Sequence, residues 1–289
     1  MKKLIKSLTP PLLWDKAKYL INYMHFLKYK DLVAKNIELK DIHKGKRCFL
    51  LGSGPSIKKE DLRPLKNEIV FALNNFYVHE DFTEIMSGDV PKYYMIAPIH
   101  PPQSEDEWKR WFEDMESNMP KSANMIFGLN SYEGNIKYIF DKYGLFKEHK
   151  IYWYFAGIDV SKGYKFNKCD IDFSNLIWLA STVSTYALLL AIYMGFEEIY
   201  LLGVDHNYIC LKNEENFRFY KSSIHQQNEH KRMNFKKSDE FFGTGKVFLE
   251  KELIAENCKS VRIFNCSKDS LLNMFEYRNL GEINPSLKL

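Results

Sequence analysis

Three short polar stretches contain the residue types that could bind and transfer a chemical group. The first is Gly-Ser-Gly-Pro-Ser at 52–56, which directly follows an apolar run at 47–51. Glycines after a strand let the backbone come close to a ligand, and their N–H groups can face an anion. Pro55 stiffens this turn, and Ser56 is expected to cap the short helix that follows. Taken alone, the stretch is equally typical of a tight turn without a ligand.

This glycine turn matches neither of the two familiar phosphate-binding loops. It lacks the third glycine of the dinucleotide fingerprint, because Gly54 is followed by Pro-Ser-Ile. A later Gly-Thr-Gly-Lys at 243–246 resembles part of an ATP-binding loop. However, Glu240 stands in place of that loop's first glycine and Val247 in place of its Ser or Thr. Neither stretch therefore indicates a dinucleotide loop or an ATP loop.

The second and third polar stretches lie beside apolar segments. Asn74 and Asn75 follow the apolar run at 70–73, where side-chain amides can bond a ribose or a base edge. An Asn-rich turn is the alternative interpretation. The third stretch opens an apolar helix with small hydroxyl residues, Thr182, Ser184 and Thr185. Two polar turns after successive strand patterns make a shared site more plausible than either turn alone.

The composition is that of an ordinary folded protein. The chain has 289 residues, of which 45% are hydrophobic and 27% charged, enough for a well-buried core. A net charge of +4 without a basic stripe does not indicate nucleic-acid binding. The five cysteines are scattered and odd in number, which favours a reduced, cytoplasmic setting. No apolar run reaches the roughly 18 residues that span a bilayer.

From residue 46 onward, strand and helix patterns alternate. This predicts one α/β domain over 46–289 with a doubly wound, mostly parallel, Rossmann-like sheet. Strands are predicted at 47–52, 68–73, 92–97, 124–128, 150–155, 198–204 and 261–265, and helices at 104–117, 132–142, 182–194 and 244–256. Ligands bind such sheets beyond the carboxyl ends of the strands, which is where the polar stretches fall. Residues 206–242 are polar without periodicity and are predicted to be a lid or a disordered segment.

The first 45 residues are predicted to be a helical extension. Apolar residues recur at helical spacing over 12–29, and lysines lie between them at Lys16, Lys18 and Lys28. A basic amphipathic helix of this kind is typical of contact with an anionic membrane surface, here through residues 1–35. Packing on the domain, or on a second subunit of a homo-oligomer, is the alternative.

The order of the motifs resembles that of one glycosyltransferase family. The motifs are Gly-Ser-Gly-Pro-Ser, LNNFY at 73–77, STVSTY at 181–186, LLGVDHNY at 201–208 and DSLL at 269–272. Together they look like the bacterial sialyltransferases of Campylobacter lipooligosaccharide synthesis. The wider superfamily holds the flagellin-modifying Maf glycosyltransferases and the methanopterin-type pyrophosphokinase-like proteins. The resemblance covers about residues 46–276, and the order and spacing of the motifs carry it.

The resemblance implies an A-type glycosyltransferase architecture that binds a CMP-activated acidic sugar without a metal cofactor and transfers it with inversion. It implies nucleotide contacts from the glycine turn and the Asn after the second strand, here Gly52, Ser53, Gly54, Pro55, Ser56 and Asn74, and Asn75 is the adjacent amide candidate for the same site. By the same resemblance, Thr182, Ser184 and Thr185 contact the donor's phosphate and sugar. Asp205 matches the family's Gly-x-Asp position, and Tyr208 matches tyrosines that help the phosphate leave.

Four features depart from the family pattern, one of which is Thr182-Val183-Ser184 where the sialyltransferases have Thr-Ser-Gly. Ser53 stands where the sialyltransferases have Asn, and Ala97 stands where a donor-contacting Asn would follow the third strand. The family's catalytic lid histidine has no counterpart before the helix at 244–256. The general base that takes the acceptor's proton is therefore predicted to be His206 or His225, with His230 as a third candidate, because histidine titrates near neutral pH.

No metal site is predicted from the sequence. The triplet Asp170-Ile171-Asp172 follows a lysine-rich stretch and ends no obvious strand, and His and Cys spacing gives no zinc pattern. Lys221, Lys231 and Arg232 in the predicted lid could neutralise a phosphate in place of a metal. A solvated basic loop is the alternative for these three residues.

The sequence therefore predicts an enzyme, a metal-independent inverting glycosyltransferase acting in surface polysaccharide, capsule or lipooligosaccharide synthesis. Its predicted partners are a CMP-linked sialic or related nonulosonic acid and a glycan or glycolipid acceptor. The predicted location is the cytoplasm, peripheral at the inner membrane face. Two alternatives are a pyrophosphokinase-like phosphotransferase that uses ATP with Mg²⁺, and a nucleotide-sugar-binding module without catalysis.

Overall fold

The computed structural model describes residues 11–159, 171–210, 218–220 and 237–283. Within them, nine strands form one parallel sheet: β1 (Arg47–Leu51), β2 (Val70–Leu73), β3 (Lys92–Ile96), β4 (Asn124–Leu129), β5 (Lys150–Ile158), β6 (Leu176–Trp178), β7 (Glu198–Leu202), β8 (Arg262–Asn265) and β9 (Glu276–Tyr277). The described helices are α1 (Pro11–Leu27), α2 (Lys30–Ala34), α3 (Phe82–Met86), α4 (Glu105–Asn118), α5 (Ile136–Tyr143), α6 (Val183–Tyr193), α7 (Lys237–Asn257) and α8 (Leu280–Ile283). Short 3-10 helices lie at Lys35–Leu39, Pro55–Lys59, Arg63–Asn67, Asn74–Val78 and Tyr208–Cys210.

The order in which the chain adds strands to the sheet reverses between β1 and β7. Its strand order is β6-β5-β4-β3-β2-β1-β7-β8-β9, so the chain steps outward from β1 to β6 and then returns to the other side of β1. Leu51 at the end of β1 pairs with Leu202 at the end of β7. Doubly wound sheets bind ligands beyond the carboxyl ends of their strands at such a switch point. The prediction of a parallel, Rossmann-like α/β fold is confirmed.

Both faces of the sheet are buried, which explains the nearly continuous apolar runs of its strands. In β1, Phe49 and Leu51 join one apolar core with α4 and α5. Cys48 and Leu50 join a second core on the opposite face, with α6 and α7. All 11 residues of α6 are buried, in keeping with a helix that is apolar on nearly all sides.

Several predicted boundaries are confirmed by local contacts. Ser104 and Glu107 form a reciprocal capping box at the start of α4. Gly195, at a φ of +85°, follows the end of α6. Strands β6 and β9 were not predicted, because they contain only three and two residues.

The predicted end of the lid at residue 242 is wrong. Helix α7 begins at Lys237, so it includes both the last predicted lid residues and the Gly-Thr-Gly-Lys stretch. Gly243 and Gly245 lie in this helix with open space where a side chain would be. The stretch is therefore helical and does not form a phosphate-binding loop.

Much of the predicted N-terminal extension packs into the domain. Phe26, Val33 and Leu39 are buried in the two cores. The buried Asn36 donates hydrogen bonds to the carbonyl oxygens of Trp153 at 2.7 Å and Phe173 at 2.8 Å. In the described part of the chain, no helix is both long and apolar enough to cross a bilayer.

Candidate functional site

The glycine turn packs tightly against the end of β7. The Gly52 N–H donates to the Leu202 carbonyl at 2.8 Å, and the Gly54 N–H donates to the Gly203 carbonyl at 2.7 Å. A Cβ atom added to Gly52 would lie 2.4 Å from the Gly203 carbonyl oxygen. These glycines are required for close backbone contact at the switch point. The prediction that their N–H groups face an anion is wrong, because backbone carbonyls already bind them.

Asp205 holds the same turn from the other side of the crevice. Its buried carboxylate accepts hydrogen bonds from the Ser56 backbone N–H at 3.0 Å and from the Ser56 hydroxyl at 2.5 Å. The short helix Pro55–Lys59 has no side-chain cap at its start, so the prediction of Ser56 as a helix cap is wrong. Ser56 and Asp205 position the turn, and Pro55 occupies the first residue of the short helix.

A cavity of about 150 Å³ lies beyond the carboxyl ends of β1, β2 and β3. Its walls come from the strand ends, from α4 and from the segment 218–220: Ser53, Asn74, Asn75, Ile96, Ala97, Pro98, Ile99, His100, Gln103, Glu107, Trp108, Trp111, Arg218 and Tyr220. The segment 218–220 is fixed to the glycine turn. Arg218 Nη1 donates to the Ser53 hydroxyl at 3.1 Å, and the Phe219 N–H donates to the Ser53 carbonyl at 3.1 Å. Ser53 thus brings a guanidinium to the cavity.

The two adjacent asparagines have different surroundings. Asn75 Oδ1 accepts from Trp111 Nε1 at 2.6 Å, and Asn75 Nδ2 donates to the Tyr220 hydroxyl at 2.9 Å. Asn74 has a φ of +51°, which asparagine tolerates better than most residues, and its carbonyl accepts a hydrogen bond from Tyr94. Asn75 therefore supports the cavity wall, whereas the Asn74 side chain is left to line the cavity.

Two polar atoms in the cavity walls lack partners. Trp108 Nε1 and Gln103 Oε1 are both buried, and neither makes a hydrogen bond to the residues that the structure describes. One is a donor and the other an acceptor. A buried polar group without a partner costs about 1–3 kcal/mol, so a ligand that bonds both atoms would gain that free energy. Neither residue was predicted as a site residue, and their positions carry only a weak signal: Trp108 lies in the predicted helix 104–117 and Gln103 immediately precedes its cap.

The hydroxyl residues at the start of α6 form a separate polar cluster. Thr182 Oγ1 lies 2.9 Å from Ser184 Oγ and 3.2 Å from Thr185 Oγ1. Thr182 is the N-cap of the helix and accepts from the Thr185 N–H. Ser184 Oγ lies 3.2 Å from His206 Nε2 at the end of β7. The structure thus brings four of the predicted site residues together.

Lys251 of α7 is the centre of this hydroxyl cluster, and the sequence did not indicate it. Its Nζ lies 3.2 Å from Ser184 Oγ, 3.1 Å from Thr185 Oγ1 and 3.5 Å from Thr182 Oγ1. The side chain is fully buried, and burial lowers its pKa from 10.5 to about 7, partly offset by Glu250. Within the described residues, this ammonium contacts three hydroxyls, so an anion would be stabilised beside it and next to the positive end of α6.

Glu250 completes the cluster from the neighbouring position on α7. Its buried carboxylate accepts from the Ser181 N–H at 2.9 Å, from the Ser181 hydroxyl at 2.8 Å and from the Thr185 hydroxyl at 3.1 Å. Ser181 is exposed, whereas Ser184 and Thr185 are buried. The cluster therefore reaches the surface on the Ser181 and Thr182 side. Both charged groups of the cluster come from α7, a helix in which no site residue was predicted from the sequence.

His206 lies inside the protein. It is 4% exposed and has a φ of +46°. Burial and the nearby Lys251 and Arg218 charges hold its pKa well below the ordinary value, so the imidazole is neutral at pH 7. In this conformation it contacts Ser184 and does not face solvent, where an acceptor would arrive.

For most of the remaining predicted site residues, the structure provides no side-chain contacts. Tyr208 begins the 3-10 helix Tyr208–Cys210. Outside the described residues lie His225, His230, Lys221, Lys231, Arg232 and Asp170. Asp172 accepts from the Ser174 N–H and hydroxyl, which places it in a local turn. Among the residues that the structure describes, no three His, Cys, Asp or Glu side chains are grouped as metal ligands would be.

No protein-family model matches this chain, and comparison with curated proteins gave no significant match. The chemistry of the site therefore has to be inferred from its own geometry. The cavity provides an unpartnered donor, an unpartnered acceptor and the Arg218 guanidinium. The cluster provides the start of α6 and a buried ammonium.

Proposed function

We propose that this protein is a glycosyltransferase that uses a CMP-activated acidic sugar as donor in the synthesis of a surface polysaccharide or lipooligosaccharide. The observation that carries the proposal is a pair of unpartnered atoms, Gln103 Oε1 and Trp108 Nε1, on residues that line the cavity beyond β1, β2 and β3. A cytosine edge offers a donor, its N4 amino group, beside ring acceptors. It therefore complements an acceptor and a donor in one cavity wall.

The rest of the nucleotide would be held by polar groups at the ends of β1 and β2. The Asn74 amide can bond a ribose hydroxyl through its oxygen or its nitrogen. Arg218 brings a guanidinium to the cavity, fixed by Ser53, and guanidinium groups bind phosphate oxygens in pairs. The aromatic rings of Trp108 and Tyr220 offer flat surfaces for a base.

Lys251 and the start of α6 would stabilise the phosphate as it leaves. Negative charge grows on that phosphate when the bond to the sugar breaks, and fixed positive charge aimed at it lowers the barrier. Thr182 and Ser184 supply hydroxyl donors beside Lys251 Nζ. A group with a pKa of about 7 becomes fully protonated when an anion arrives. In this proposal the lysine replaces the divalent cation of other transferases.

The proposal assigns the general base to His225 and a positioning role to His206. A base has to reach the acceptor hydroxyl and has to gain a proton near neutral pH. His206 is buried and its pKa is lowered, so it is better suited to orient Ser184 through the 3.2 Å contact. His225 belongs to the predicted lid and lies outside the described residues.

Release of CMP from CMP-sialic acid, with and without a glycan acceptor, tests this assignment. His225→Ala is expected to lower kcat of transfer by about 10²–10⁴-fold, the usual contribution of a general base. His206→Asn is expected to have a smaller effect on kcat and to leave a lower-pKa limb of the pH–rate profile in place. His230→Ala is the matched control. Wild-type protein that releases no CMP under any condition would contradict the proposed function.

A further inference from the structure

Helix α1 exposes an apolar face. Large apolar side chains that elsewhere in the domain are buried are largely solvent-exposed here: Tyr19, Leu20, Ile21, Tyr23, Met24 and Leu27. Leu20 is 58% exposed and Met24 is 61% exposed. Because they are four residues apart, Leu20 and Met24 lie on one side of the helix, with Leu27 next to them. Contiguous exposed apolar residues of this kind mark an interaction surface.

The opposite side of α1 is fixed to the carboxyl end of β5. Asn22 Nδ2 donates to the Gly157 carbonyl at 2.8 Å, and the Phe26 ring packs edge-on against Phe155 at 5.9 Å. Lys18 lies 3.6 Å from Asp159, just beyond the strand. The exposed face is therefore held rigidly, and the start of α1 lies at the same edge of the sheet as the candidate site.

Positive charge is concentrated in the part of the sequence that contains α1. Residues 1–30 contain seven lysines and one acidic residue, Asp15, whereas the rest of the chain has slightly more acidic than basic residues. Lys16 and Lys28 are exposed on the helix and just after it. Apolar side chains flanked by lysines complement the acyl region and the anionic headgroups of a lipid bilayer. Two copies of so basic a segment would instead repel each other.

We propose that α1 docks the protein on an anionic lipid bilayer, lying in the plane of the membrane with Leu20, Met24 and Leu27 inserted. This proposal is independent of the glycosyltransferase reaction. Docking in this way would hold the carboxyl edge of the sheet near the lipid, where a lipid-linked acceptor would be reached. The interaction is peripheral, since α1 contributes one apolar face and not a membrane-spanning segment.

Flotation of the full chain with lipid vesicles tests the proposal. Wild-type protein is expected to float with vesicles of phosphatidylcholine containing phosphatidylglycerol, and far less with phosphatidylcholine alone. Leu20→Glu/Met24→Glu should lower the bound fraction at least about tenfold, because two inserted side chains become charged. Val78→Glu is the control, since Val78 is exposed on the domain but lies outside α1. Binding by the double variant equal to wild type would overturn the proposal.

A second measurement separates lipid from a protein partner. Both substituted residues are exposed, so the double variant is expected to keep the wild-type circular dichroism and melting temperature. Light scattering after size exclusion should give the same mass for both proteins without lipid. A wild-type dimer that the double variant converts to monomer, together with no vesicle binding by wild type, would show that a second copy covers α1 and would contradict the proposal.

Discussion

The cavity and the hydroxyl–lysine cluster lie at the same edge of the sheet but satisfy their polar groups in opposite ways. In the cluster, Glu250 and Lys251 bind the hydroxyls of Ser181, Ser184 and Thr185, so the groups hold one another. Among the residues that line the cavity, a buried donor and a buried acceptor have no partner in the described part of the chain. A fully bonded network keeps its geometry without a ligand, whereas the cavity reaches its lowest free energy only with one. The hydroxyl–lysine cluster is therefore preorganised without a ligand, whereas the cavity is the part of the site expected to recognise one.

Glu250→Ala should give the largest loss of stability, because it removes the acceptor of three hydrogen bonds and a charge that raises the pKa of Lys251. We expect the free energy of unfolding to fall by roughly 3 kcal/mol, measured in urea. Glu252→Ala changes an exposed neighbour on the same helix and should cost less than about 0.5 kcal/mol. Equal losses in the free energy of unfolding for the two substitutions would contradict a structural role for the cluster.

Sequence patterns predicted seven of the nine described strands and the longer helices, because apolar runs and caps are local signals. Patterns could also place Gly52, Asn74, Thr182 and Asp205 at one edge. Which atoms of these residues remain available depends on long-range contacts. The Gly54 N–H is taken by Gly203, and Lys251 reaches Ser184 from a helix 67 positions away in the chain. No local pattern indicates such a contact.

Substitution of glycines tests how tightly the glycine turn packs against the end of β7. Gly54→Ala would place a Cβ atom 2.4 Å from Asp205 Oδ2 and 2.7 Å from the Gly203 carbonyl, so we expect a loss of roughly 2 kcal/mol in the free energy of unfolding. Gly245→Ala meets nothing within 4 Å inside helix α7 and should stabilise by roughly 0.5–1 kcal/mol. Stabilisation by both would mean that the turn does not pack against β7.

The buried ammonium predicts a pH dependence of stability. The pKa of Lys251 is lowered from 10.5 to about 7 on folding, so between these values the unfolded chain binds more protons than the folded protein. The free energy of unfolding should therefore rise with pH over that window. Relative to Lys251→Met, we expect a rise of roughly 1 kcal/mol per pH unit between pH 7.5 and 9.5. Parallel curves for the two proteins would show that Lys251 does not titrate in this window.

A substitution in the lining of the cavity should change the affinity for CMP and leave the free energy of unfolding nearly unchanged. Gln103→Met keeps the length of the side chain and removes the unpartnered acceptor, so the free energy of unfolding is expected to stay within about 0.5 kcal/mol of wild type or to increase slightly. The Kd for CMP should rise about fivefold to tenfold, the value of one hydrogen bond. The preference for CMP over UMP should fall at the same time. A loss of stability without a change in Kd would place Gln103 outside the nucleotide site.

The most direct test of the central claim is calorimetric titration of the full chain with CMP in the presence of a metal chelator. We expect saturable binding of CMP without a divalent cation, weaker binding of UMP, and uptake of a fraction of a proton near pH 7 as Lys251 becomes charged. Proton uptake is measured by repeating the titration in buffers of different ionisation enthalpy. No binding of CMP, together with binding of ATP that requires Mg²⁺, would contradict the account and favour a phosphotransferase.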